Sequence, residues 1–131
     1  MTSDVQPIND PSIVAEVTAV FETYEAALMA NNVETLDALF WASPHTVRYG
    51  VGENLYGHEE ILAFRKARSG GSPQRVLTRM VITTLGRDFA VANTEFLRSG
   101  RRVGRQSQAW ARLPEGWRIV AAHVSLMGDS H

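Results

Sequence analysis

Val103-Gly-Arg-Gln-Ser-Gln-Ala-Trp-Ala-Arg-Leu-Pro-Glu-Gly-Trp-Arg-Ile-Val-Ala-Ala-His-Val-Ser-Leu-Met127 is the stretch whose reading decides the fold. Pro114-Glu-Gly116 lies between two long runs with strand character, so the stretch predicts a hairpin of Val103–Leu113 and Trp117–Met127. If Leu113 opposes Trp117, then Ala109 opposes Ala121, Ser107 opposes His123 and Arg105 opposes Ser125. Alternation then puts Arg105, Ser107, Ala109, Ala111, Trp117, Ile119, Ala121, His123 and Ser125 on one face. The other face holds Gln106, Gln108, Trp110, Arg112, Arg118, Val120, Ala122, Val124 and Leu126. Small residues in the middle of the first face suit helix packing with space left for a pocket. The second face mixes apolar residues with Gln and Arg, which predicts a homodimer through Trp110, Val120 and Val124.

Upstream, Arg75–Leu85 and Phe89–Arg98 read as two more long strands. Gly86-Arg-Asp88 and Ser99-Gly-Arg-Arg102 supply the turns. Before the loop Ser69-Gly-Gly-Ser-Pro73 the character is helical. Asn9-Asp10-Pro11-Ser12 carries helix-start chemistry, and Val14, Val17, Val20, Phe21, Tyr24 and Leu28 then recur on one helical face to about Asn31. A short helix follows at about Val33 to Phe40, a strand at His45–Tyr49, an extended piece at Asn54–Tyr56, and a third helix from Gly57 to Arg65. Helices followed by a meander of long strands predict an α+β fold, with three N-terminal helices on one face of a curved, mainly antiparallel sheet. One domain over residues 11–128 is expected, after a flexible tail at residues 1–10.

At 131 residues the chain can bury a real core. It has no cysteine, which excludes disulfides, thiolate metal ligands and a Cys nucleophile. The polar, acidic N-terminus does not read as a signal peptide, and no apolar run approaches the ~20 residues of a membrane span. The expected compartment is the cytoplasm, with no membrane partner. Residues 1–64 carry one base and ten acids, so −9; residues 65–131 carry twelve bases and four acids, so +8. Such halves attract each other within one domain. The basic residues are not interleaved with aromatics as a single-strand reader requires, so no nucleic-acid partner is expected.

Arg48 is the lone base of the first half. It either neutralises a nearby carboxylate or clamps an anionic ligand through its planar fork of donors. Tyr24, on the apolar stripe of the first helix, is either a core tyrosine or a hydroxyl presented to a site. His123 has the same two readings. Arg105 and Ser107 share the small-residue face with it, and together these groups would make a cationic site for a small anion. His45, His58, His123 and His131 have no metal-ligand spacing, so no metal site is expected. Gly50-Val-Gly52 lacks the residues of a phosphate loop.

The chain resembles a known family at several places. The order of helices and long strands, with Gly116-Trp-Arg-Ile-Val-Ala-Ala-His-Val-Ser125, resembles the nuclear transport factor 2-like (SnoaL-like) cone. Phe40-Trp41, Pro44-His-Thr-Val-Arg-Tyr-Gly50, Gly52-Glu-Asn-Leu-Tyr-Gly57, Glu95-Phe96 and Gly104-Arg-Gln106 are similar to the AtzH-like family, also called the HpxZ or oxalurate-catabolism type. The resemblance spans roughly Ile13 to Met127. It implies a cofactor-free decarboxylase of 1,3-dicarboxyurea, giving urea-1-carboxylate (allophanate) and carbon dioxide in cyanuric acid and biuret breakdown. It maps the essential tyrosine onto Tyr24 and the essential arginine onto Arg48. Arg105, His123, Ser107 and Asn54 complete the expected substrate-binding set for a small carboxylated urea. The competing expectation is a non-catalytic small-carboxylate-binding or accessory protein of oxalurate or purine catabolism. Such a binder needs Arg48 and Arg105 but not the Tyr24 hydroxyl.

Overall fold

A computed structural model describes residues 7–68, 70–98 and 103–128. The expected turn at 99–102 and residues 1–6 of the expected tail lie outside the described residues. The elements are α1 (Pro11–Met29), α2 (Val33–Leu39), β1 (Val47–Tyr49), β2 (Asn54–Tyr56), α3 (His58–Ala67), β3 (Arg75–Leu85), β4 (Phe89–Arg98), β5 (Val103–Leu113) and β6 (Gly116–Leu126). The strands form one sheet in the order β2-β1-β6-β5-β4-β3. Every neighbouring pair is antiparallel except β1 and β6, which run parallel.

Local chemistry accounts for the first helix. The Asp10 carboxylate accepts from the Ser12 N–H at 2.9 Å, and Pro11 occupies the first turn, where its missing N–H costs nothing. Asn31 takes a left-handed backbone with φ 52°, which ends the helical run. Between these points Ile13, Val17, Phe21, Tyr24 and Leu28 are buried against the sheet. Asn9, within the span expected as a tail, is held by the sheet. Asn9 donates its N–H to the Thr84 carbonyl at 3.0 Å, and its side chain accepts from the Thr84 N–H at 2.9 Å, so this part is tied to the end of β3.

The β5–β6 hairpin corrects the expected faces. Ala109 opposes Ala121, Ser107 opposes His123 and Arg105 opposes Ser125, as alternation predicts. At the turn, however, Leu113 opposes Gly116 and Trp110 opposes Ile119. Val120 is the extra residue of a bulge, and it reverses the facing of everything after it on β6. Trp117 and Ile119 therefore point inward as expected, but Ala122 and Val124 follow them inward instead of Ala121 and His123. On β5 the inward set is Gly104, Gln106, Gln108 and Trp110. Trp110 is fully buried and Val124 nearly so, which removes both from any subunit interface. The volume of Trp110 decides the matter: it packs in the core, and the Gln108 Oε1 accepts its indole N–H at 3.1 Å.

Candidate active site

A small cavity opens where the inner face of the sheet meets α1 and α3. Tyr24 and Leu28 reach it from α1, Arg48 from β1, Arg65 from the end of α3, Gln106 from β5 and Val124 from β6. Arg75 and Arg98 are direct cross-strand partners on β3 and β4 and both line it. Arg68, Ser72, Val51 and Glu53 close the rim. The cavity holds about 50 Å³. One water needs about 10–15 Å³ on this scale, so the cavity is more than a single-water site and suits a small ligand.

Helical spacing explains Arg65. It follows Ile61 by four residues, so it shares the buried face of α3 and is only 3% exposed. Its Nη2 donates to the Tyr24 hydroxyl at 3.2 Å. Burial pushes the Arg65 guanidinium below the ordinary arginine range; the Tyr24 contact opposes this and Arg48 adds to it. Burial and the nearby Arg75, Arg68 and Arg48 likewise push Arg98 down. Arg48 and Arg68 thus bear on both buried guanidiniums.

Among the described residues, two carboxylates answer the five guanidiniums of Arg48, Arg65, Arg68, Arg75 and Arg98. Glu53 Oε2 accepts from Arg48 Nη1 at 2.8 Å, and Glu25 takes both Nε and Nη2 of Arg75. Among the described residues, Arg65, Arg68 and Arg98 have no carboxylate partner, so the cavity lining carries a surplus of positive charge. Aromatic rings spread part of this load. Phe96 lies 4.3 Å from Arg75 and 5.2 Å from Arg98, while Phe64 lies 5.3 Å from Arg48 and 5.4 Å from Arg68. Gly104 makes the first arrangement possible, since a Cβ there would stand 2.2 Å from the Phe96 ring.

Among the described residues that line the cavity, three buried donors lack a partner: Arg65 Nε, Arg98 Nε and Gln106 Nε2. Each such group costs about 1–3 kcal/mol when left unsatisfied. The Gln106 Oε1 accepts from Arg75 Nη2 at 3.3 Å, which leaves its NH2 as the free end. A surplus of cations and spare donors around one small cavity suits a compact anion with several oxygens.

Of the six expected site residues the structure brings two together. Tyr24 and Arg48 do meet at one cavity. Arg48 does meet a nearby carboxylate, since Glu53 engages one of its nitrogens, and it lines the cavity as well. Arg105, Ser107 and His123 do not join them. They are exposed on the outer face of the sheet, where Ser107 donates to Asn93 at 2.6 Å and His123 meets the Tyr49 ring at 5.7 Å. Asn54 is exposed on the edge strand β2, opposite Tyr49. Arg65, Arg68, Arg75, Arg98 and Gln106 take the places expected for these four. Two signals in the sequence pointed to them: the spacing of Ile61 and Arg65, and alternation from Phe96 to Arg98 once the Phe96 face is taken as inward.

Residues 6–130 match the model of the AtzH-like family. Among solved structures, a DUF3225-family protein of unknown function from Pectobacterium atrosepticum is 57% identical, with a TM-score of 0.91 over 95% of this chain and 99% of its own. A cystatin-like fold protein from Burkholderia xenovorans is 49% identical, with the same TM-score and coverage. A nuclear transport factor 2-like superfamily protein from Salmonella enterica is 25% identical, with a TM-score of 0.74 over 92% of this chain and 95% of its own. A search of curated proteins found no match.

Proposed function

The chain belongs to the AtzH-like family, and on that premise we propose that it decarboxylates 1,3-dicarboxyurea to urea-1-carboxylate and carbon dioxide. The observation that carries the reading is the cavity's surplus of guanidiniums and unpartnered donors beside one phenol. A dicarboxylated urea is a compact dianion with five oxygens, and it matches that surplus in charge and in hydrogen bonding. Arg48 holds one carboxylate and so orients the molecule. Arg98 and the Gln106 amide take the other oxygens.

In the reacting step the bond between nitrogen and the carboxyl carbon breaks. Its electron pair stays on nitrogen, the Tyr24 hydroxyl gives nitrogen its proton, and carbon dioxide leaves. The phenolate then recovers a proton from solvent. Fixed positioning and a preorganised cationic field supply the rate, using the side chains alone.

The test is to mix purified protein with freshly generated 1,3-dicarboxyurea and follow its loss against urea-1-carboxylate by carbon-13 NMR. Loss faster than the uncatalysed background is expected. Binding without loss would replace the enzyme with a small-carboxylate-binding protein of related catabolism.

The homodimer belongs to the same proposal, through the outer face rather than through Trp110 and Val124. Val76, Val81, Leu85, Phe89 and Leu97 are exposed there, cross-strand neighbours along β3 and β4. Sedimentation at micromolar concentration should give a dimer.

A further inference from the structure

We propose that Arg65 is a positioning residue that makes the Tyr24 hydroxyl a one-way proton donor and holds the charge left on it. The inference rests on the decarboxylase reading and adds a residue to it. A guanidinium carries donors and no acceptor, so the 3.2 Å contact between Arg65 Nη2 and Tyr24 Oη has one polarity: Arg65 donates and the phenol oxygen accepts. Among the described residues Tyr24 makes no other hydrogen bond. Its own proton therefore has no protein acceptor, and the side chain lines the cavity, where a ligand nitrogen or oxygen is the remaining partner. Tyr24 is 2% exposed and its ring packs edge-on against Phe40 at 6.2 Å, so the phenol cannot swing away to water.

The same contact serves the step itself. When the proton leaves for the substrate nitrogen, the phenolate already faces a buried cation. No solvent has to reorganise to receive the new charge. Arg65 Nε, still unpartnered within the same guanidinium, is a second donor available on that side of the cavity. An arginine held at such desolvation cost, with no carboxylate partner among the described residues, has no structural task that a leucine would not do better.

The experiment has a turnover arm and a binding arm. In the first, Arg65→Met and Arg65→Lys are compared with Tyr24→Phe and with the double variant Arg65→Met/Tyr24→Phe. Arg65→Met should lower kcat about 10²-fold with KM within about threefold, and adding Tyr24→Phe should cost little more. Arg65→Lys, which restores a donor and a charge, should recover at least about a tenth of parent kcat. Independent, multiplying losses in the double variant, or a lysine variant no better than the methionine one, would overturn the proposal.

The binding arm uses malonate, an inert dicarboxylate, and reads the tyrosine ultraviolet difference spectrum. The parent should give a band that Tyr24→Phe lacks, and Arg65→Met should lose that band while still binding malonate. An unchanged band in Arg65→Met overturns the positioning role even if the parent proves unable to decarboxylate dicarboxyurea. That last result alone would remove the decarboxylase reading.

Discussion

Glu53 Oε2 accepts a hydrogen bond from Arg48 Nη1 at 2.8 Å, across a turn that only a residue without a side chain leaves open. A Cβ on Gly50 would stand 1.7 Å from that carboxylate oxygen and 2.9 Å from Arg48 Nη1. The pair fixes Arg48 in place and subtracts one charge from the cavity. Both effects are open to mutation.

Glu53→Gln keeps the shape of the side chain and removes its charge. Malonate should bind about tenfold more tightly, because one repelling charge near the anion is gone. The rate should fall, since Arg48 is then held less firmly. Gly50→Ala should do the same by pushing the carboxylate aside. Calorimetric titration with malonate checks both variants, and weaker binding in Glu53→Gln would contradict the account.

The outer face should be silent. Arg105→Ala, Ser107→Ala and His123→Ala remove groups that do not line the cavity. Each should leave kcat within about twofold and stability within about 0.5 kcal/mol, as is usual for exposed positions. A large loss of turnover in His123→Ala would restore it to the site and refute the facing of β6.

How far the sequence could be read turns on that same strand. The caps of α1, the strand runs and the Ser107–His123 pairing follow from local chemistry and period, and all are present. The inward face did not follow, because one extra residue at Val120 inverts it and no local signal marks the bulge. The cost was concentrated in the site. A reading that sets Ser107 and His123 inward sets Gln106 outward, and the arginines that share its cavity then fall outside the expected site. Arg48 and Tyr24 do line the cavity, and their reading rests on the patterns of β1 and α1 rather than on the facing of the hairpin. The charge split between the halves became partly Arg75–Glu25 and Arg112–Glu16 pairing, and partly the cationic cavity.

Gln106→Glu should move stability and function in opposite directions. The new carboxylate would lie against Arg75, the cross-strand partner of Arg98, relieving the repulsion that adds to burial in pushing Arg98 down. The thermal midpoint should rise. The same charge repels an anionic ligand and fills its donors, so malonate affinity should fall about tenfold or more. A variant that is stabilised yet binds malonate normally would show that Gln106 does not face the ligand.

Arg48→Lys tests the fork against the charge. Lysine can still meet Glu53 as a point charge, but it cannot present two parallel donors to a carboxylate. Turnover should fall about 10–100-fold with the fold intact by circular dichroism. Near-normal kcat/KM would mean that Arg48 contributes only its charge.

Tyr24→Phe separates chemistry from packing. The ring stays on the buried face of α1 against Phe40, so the core keeps its shape. The lost hydroxyl leaves Arg65 Nη2 without its acceptor, in addition to Nε, which should cost about 1–3 kcal/mol of stability. A purely structural tyrosine would show that loss and, well below the thermal midpoint, nearly unchanged turnover. A proton donor would show the same loss of stability and a kcat lower by about 10²-fold or more, with malonate affinity scarcely altered. The second outcome is expected, because a phenol whose oxygen is already taken by an arginine has its proton left for the ligand. Carbon-13 NMR of dicarboxyurea turnover, run beside a thermal melt of the same preparation, decides between them.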